Sequence, residues 1–205
     1  MLIRRALMAA AVAGLTVLPL TAAHAESYSH HDAKGDVVAV TLDSAGKDPA
    51  VRDPDIRRVR VTHGSKRLSV LYFFRHLEDN RDTGHAYVVD IRTNKHKRFS
   101  LGLFSGAGMG RGQVQLITRQ APVDCAGLVR HIDYPHAKVV LRVPRTCLGQ
   151  PRSLRAGVAV VKLTGLTTLD PASTQEPTLN LYADDALSQK VRNQLTWTPR
   201  LHHKR

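Results

Sequence analysis

A period of two runs through most of this chain. Between Ile56 and His63, Arg58, Arg60 and Thr62 alternate with Arg57, Val59, Val61 and His63, and that spacing sends alternate side chains to opposite faces of a strand. Leu68–Leu77 carries Leu68, Val70, Tyr72 and Phe74 on one parity and Leu71 and Phe73 on the other, which predicts a strand buried on both faces. Val37–Leu42, His85–Arg92, Arg98–Leu103, Gln113–Ile117, Leu128–Tyr134, Lys138–Val143 and Gly157–Leu163 read as further strands. Such short runs, roughly 8–12 residues apart and bounded by turn residues, predict an all-β chain: an antiparallel, jelly-roll-like β-sandwich of about 8–10 short strands. His63-Gly64-Ser65-Lys66 and Asn94-Lys95 supply hairpin turns, Gly64 because a tight turn needs positive φ. A parallel sheet needs helical crossovers, and none falls between these strands. The one helical spacing, Leu187, Val191 and Leu195, predicts a short helix within Asp185–Leu195.

The N-terminus has a different logic. Arg4 and Arg5 precede an apolar run from Ala6 to Leu20, and Ala23-His24-Ala25 places small residues before Glu26. This is the three-part pattern of a secretory signal, too short to span a bilayer comfortably. The expectation is residues 1–25 as a cleaved signal, 26–34 as a flexible leader, 35–198 as one β-sandwich domain and 199–205 as a basic tail. No other stretch reaches 18 uninterrupted apolar residues, so no transmembrane segment is predicted. A secreted location changes how Cys125 and Cys147 read. Outside the reducing cytosol a lone pair favours a disulfide, and the two cysteines flank a predicted hairpin, Leu128–Tyr134 with Lys138–Val143. A disulfide between them is expected.

The formal charge of the 205 residues is +13, falling to +11 without Arg4 and Arg5. Arg57, Arg58, Arg60, Lys66 and Arg67 cluster on one predicted hairpin, and Lys95, Lys97 and Arg98 on another. Basic patches attract polyanions through counterion release. For an exported protein an anionic cell-envelope polymer or a carbohydrate is the expected partner, and nucleic acid is not. Arg57, Arg58, Arg60, Lys66 and Arg67 are the candidate ligand-binding residues.

Motifs for other chemistry are weak. Gly106, Gly108, Gly110 and Gly112 imitate a phosphate loop, but a dinucleotide fingerprint must run into a helix, and here Gln113–Ile117 reads as a strand. His30-His31-Asp32, Asp36 and His202-His203 offer ligand types for zinc or copper, yet adjacent histidines on a strand point apart and a site needs converging ligands. Asp43, Asp53 and Asp55 have carboxylates suited to calcium without the spacing of an EF-hand. No metal or cofactor is expected. There is no Gly-x-Ser-x-Gly elbow and no His-Glu-x-x-His motif. His63 and His76, with Asp55 or Asp90, form the nearest approach to a catalytic cluster, and a structural role is expected for them.

Gly35-Asp36-Val37, Asp55-Ile56-Arg57-Arg58-Val59, His63-Gly64 and Cys125 with Val143-Pro144-Arg145-Thr146-Cys147-Leu148-Gly149 resemble a group of small secreted actinobacterial β-sandwich proteins that mostly lack an assigned function. The strand followed by Pro-Arg-x-x-Leu-Gly is also similar to DOMON and family-nine-like carbohydrate-binding sandwiches. The latter resemblance implies a jelly-roll-like fold and a binding role. Such modules often clamp sugars with tryptophans, whereas this chain has only Trp197. The expected function is non-catalytic binding of an envelope or extracellular ligand. An extracellular hydrolase with an unrecognised site and a structural interaction module stay open.

Overall fold

The computed structural model describes residues 26–40, 45–79, 82–106, 109, 111–166, 179–188 and 194–203. The proposed signal, residues 1–25, lies outside them, as do three glycine-loop residues (107, 108 and 110), the Thr- and Pro-rich stretch 167–178 and residues 189–193 of the predicted helix. No helix among the described residues is long and apolar enough to cross a membrane.

The chain is all β. Its strands are β1 (Glu26–His31), β2 (Val38–Val40), β3 (Ala45–Lys47), β4 (Ile56–His63), β5 (Arg67–Phe74), β6 (Thr83–Thr93), β7 (Arg98–Gly106), β8 (Gln113–Thr118), β9 (Val129–Asp133), β10 (Lys138–Pro144), β11 (Ser153–Thr164), β12 (Asn180–Asp185) and β13 (Leu201–His202). They form a five-stranded sheet in the order β1-β4-β5-β10-β9 and an eight-stranded sheet in which β3-β2-β12-β11-β6-β7-β8 run in order and β13 pairs β11. Every pairing between these strands is antiparallel. Among the described residues there are thirteen strands where 8–10 were expected, because several are short or polar and carry little periodic signal.

One core joins the sheets. Val59, Val61, Leu68, Val70 and Tyr72 of the smaller sheet pack with Tyr87, Val89, Ile91, Leu101 and Leu103 of the larger, all without solvent exposure. Tyr72 and Tyr87 meet edge to face at 5.8 Å, and the Tyr72 hydroxyl donates 2.9 Å to the Val88 carbonyl. A buried phenol thereby keeps a partner, as burial requires. The second face of β5 is half-buried rather than buried: Ser69, Leu71 and Phe73 keep partial exposure, and the Arg58 guanidinium covers Phe73 at 4.3 Å.

The alternation in β4 is broken once. The register shifts between Ile56 and Arg58, so Ile56 and Val59 both face the core while Arg57 is exposed. An extra residue in one strand is a β-bulge, and it resets which parity points inward. Cys125 and Cys147 form the disulfide across the outer ends of the β9–β10 hairpin.

Three expectations need correction. Residues 26–31 are not a loose leader but strand β1, paired with β4 from Glu26↔His63 to His31↔Arg58. The tail is not wholly free, since β13 pairs β11 at Ser153↔His202 and Leu154↔Leu201. The described start of the expected helix is the end of β12 followed by a turn, with the Ser188 amide donating to the Asp185 carbonyl.

Candidate functional site

The outward face of the larger sheet carries a line of arginines. In β6 the odd residues Tyr87, Val89 and Ile91 enter the core, which turns Arg92 outward. Strand β7 buries Phe99 and Leu101 and leaves Arg98 exposed; β11 buries Leu154 and Ala156 and exposes Arg155. Pairing then sets these arginines side by side, because Arg155 is opposite Arg92 and Arg92 is opposite Arg98. The adjoining pairs are Leu154↔Leu201 and Phe99↔Thr118. Arg200 and Arg119, one residue beyond the ends of these ladders, are exposed; Arg200 shares a concavity with Arg155, and Arg119 shares one with Arg98 and acts on its charge. Adjacent strands are about 4.8 Å apart, so five arginines span about 19 Å.

Like charges directly opposite one another on a sheet are destabilising. Arg119 and Arg92 crowd Arg98 enough to lower its hold on its proton from the ordinary arginine value. Asp90, two residues from Arg92 on the same face, is the acid that offsets part of this charge. An anion laid along the row would relieve the repulsion and accept planar, two-pronged hydrogen bonds.

Two adjoining concavities follow the row. One, of about 580 Å³, is lined by Arg92, Asn94, His96, Arg98, Arg155 and Arg200 together with Trp197. The other, of about 360 Å³, shares Arg92, Arg98 and Trp197 and adds Arg119, Phe99 and Ile117. Trp197 therefore borders both, with the Arg92 guanidinium 4.3 Å from its ring. Its placement has a clear cause. The Thr198 amide donates to the Ala156 carbonyl at 2.8 Å, the Ala156 amide donates to the Thr198 hydroxyl at 3.0 Å, and the Thr196 amide donates to Asp185 at 3.0 Å. Gly157 permits the close crossing: a Cβ there would lie 2.9 Å from that of Leu195. The other wall is held by Asn94, whose side-chain oxygen accepts from the amides of Arg152 and Ser153 at 2.9 and 3.2 Å.

The five basic residues singled out in the sequence are spread along the smaller sheet. Arg58 and Arg60 lie on the outer face of β4 and pair with His31 and Ser29 of β1. Lys66 and Arg67 sit at the β4–β5 turn and share a concavity with Arg142. Arg57, at the bulge, borders a different one with Lys34, Arg52 and Arg75. Of the second basic hairpin, Arg98 belongs to the arginine row.

Of the histidine–carboxylate pairs, His136–Asp133 lies at the surface, 2.8 Å apart, and His85–Asp53 is buried. His85 Nε2 lies 3.1 Å from Asp53, and Lys162 Nζ lies 3.1 Å from Asp53 and 3.0 Å from Glu78. Burial alone would raise the Asp53 pKa, but the hydrogen bond and charge of His85, with Lys162, outweigh it and hold the carboxyl below its ordinary value. At 3% and 2% exposure, His85 and Asp53 are walled off from a substrate. His63 is fully buried and bonds the Leu201 carbonyl. Asp55 is also buried, ion-paired with Arg75 at 3.1 Å. Asp32 and Asp36, which the sequence offered with His30, His31, His202 and His203 as ligand types for a metal, lie near Asp184 in a buried group of carboxylates.

Comparisons with protein-family models, with curated proteins and with solved structures found no match.

Proposed function

We propose that this is an exported, non-catalytic β-sandwich that binds an anionic polymer along the row Arg200-Arg155-Arg92-Arg98-Arg119. The observation that carries the reading is the register: arginines from separate strands and a C-terminal segment stand side by side on one face, beside the single tryptophan. A row about 19 Å long suits a chain of repeated charges better than one small anion. The signal-like N-terminus supports export, where anionic envelope polymers are available. Trp197 supports a sugar-bearing polymer, because an aromatic face and guanidinium groups together suit an acidic saccharide.

The test uses polyphosphate and dextran sulfate as probes, with uncharged dextran as control. Both acidic polymers should bind the native chain and uncharged dextran should not. The double variant R98S/R155S should weaken acidic-polymer binding tenfold or more while folding normally, since exposed charges contribute little to stability. The matched double variant R58S/R60S should bind nearly as the native chain does. Loss in R58S/R60S with retention in R98S/R155S would transfer the site to β4 and overturn the reading.

A further inference from the structure

Asp32 follows β1, Asp36 precedes β2, and Asp184 lies in β12, yet one ligand oxygen from each falls within 4.8 Å of the others. The three residues are buried, at 9%, 3% and 1% exposure. Their hydrogen bonds are arranged in a particular way. Asp32 Oδ1 accepts from the Ala33 amide at 2.9 Å, and Asp184 Oδ2 accepts from the Ile56 amide at 2.7 Å. Asp32 Oδ2, Asp184 Oδ1 and both oxygens of Asp36 are buried with no hydrogen-bond partner among the described residues. Backbone amides thus fix two of the carboxylates, and four oxygens of the three residues stay without a donor.

Buried carboxylate oxygens without donors or counter-charge are strongly disfavoured. Lys47 and Arg75 bear on Asp36 through their charge, but neither bonds its carboxylate. Arg75 is engaged by Asp55 at 3.1 Å, and Lys47 is exposed on β3.

We propose that Asp32, Asp36 and Asp184 form a calcium site that ties the segment after β1 to β2 and β12. Calcium binds oxygen ligands at 2.3–2.6 Å, so ligands on opposite sides of one ion stand up to about 5 Å apart, and a 4.8 Å cluster fits a single ion. One oxygen from each carboxylate supplies three of its usual six to eight ligands, the remainder coming from second carboxylate oxygens, backbone carbonyls or water. The all-oxygen donor set suits a hard cation and not zinc or copper. Because β1 belongs to the smaller sheet and β2 and β12 to the larger, the ion acts as a clamp between sheets.

The experiment is calcium titration calorimetry and thermal unfolding of the EDTA-treated full chain, repeated with magnesium and zinc. Calcium in hundredfold excess over its dissociation constant should raise the unfolding temperature by about 5–10 °C, and magnesium should do much less. In D36N, whose native carboxylate anchors no other residue, calcium binding and the thermal shift should both vanish. That variant should match or exceed the native chain's unfolding temperature in EDTA, because a buried like charge has gone. Absence of calcium binding by the native chain overturns the proposal without recourse to any variant. Calcium binding retained in D36N also overturns it, and a response to zinc alone or equally to magnesium overturns the calcium assignment.

Discussion

His63 closes β4 with its ring wholly buried, and its Nδ1–H donates to the Leu201 carbonyl at 3.2 Å. Nε2 has no hydrogen-bond partner among the described residues, so a second proton there would be buried without an acceptor. Burial is the main cause that pushes the His63 pKa down to about 4; Arg145 and His203 act in the same direction, while the Leu201 carbonyl and Glu26 oppose. The unfolded chain takes up this proton near pH 6.5 and the folded chain only near pH 4, so His63 costs no stability above pH 6.5 and progressively more as pH falls toward 4. The loss should reach on the order of 3 kcal/mol. Urea denaturation from pH 7 to pH 4 should show this slope, and H63Q should flatten it whatever its absolute stability. An unchanged slope would contradict the assignment. The sequence identified His63 as a structural histidine, but not its partner, because Leu201 lies in the C-terminal strand. The arginine row was less legible. Arg98 was visible at a hairpin, whereas Arg155 joins Arg92 only through the β11–β6 pairing and Arg200 only through β13. Nothing local in the sequence specifies either contact. Asp184 was hidden for a related reason: a buried aspartate breaks the hydrophobic pattern by which strands are recognised.

At the scale of elements, the long strands were legible because their apolar parity is strong. Strand β4 was recognised with its observed limits, although its bulge moved Arg57 outward against simple alternation. Strand β1 was missed because Glu26-Ser27-Tyr28-Ser29-His30-His31 offers one large apolar side chain. It lies at an edge, where half-exposed polar residues are at home. In β12 the two terminal aspartates obscured the strand, and the spacing of Leu187, Val191 and Leu195 suggested a helix instead. The β9–β10 hairpin and its disulfide were legible together, because two strand-like runs lay between cysteines in a suitable arrangement. Closing a loop between cysteines separated by 22 positions constrains the unfolded chain, by about 3 kcal/mol in the loop-entropy treatment. The double variant C125S/C147S should lose roughly that much in urea denaturation. Its affinity for polyphosphate should remain near native, since the hairpin belongs to the smaller sheet and the arginine row to the larger. A parallel collapse of binding in a folded variant would contradict that separation.

The whole molecule divides its polar residues between two faces of the same construction problem. Two sheets share an apolar core, the carboxylates of Asp32, Asp36 and Asp184 are buried where segments from both meet, and arginines line the outside of the larger sheet. Net charge was legible at once, but its placement depended on pairings between strands distant in sequence. The single tryptophan makes the central claim directly measurable, because Trp197 borders both concavities along the row. Polyphosphate titrated into the native chain should change Trp197 fluorescence saturably. Raising salt from about 50 to 200 mM should weaken the affinity on the order of a hundredfold if all five arginines engage. Saturable binding that leaves Trp197 emission unchanged, or an affinity insensitive to salt, would contradict an anionic polymer bound along the arginine row.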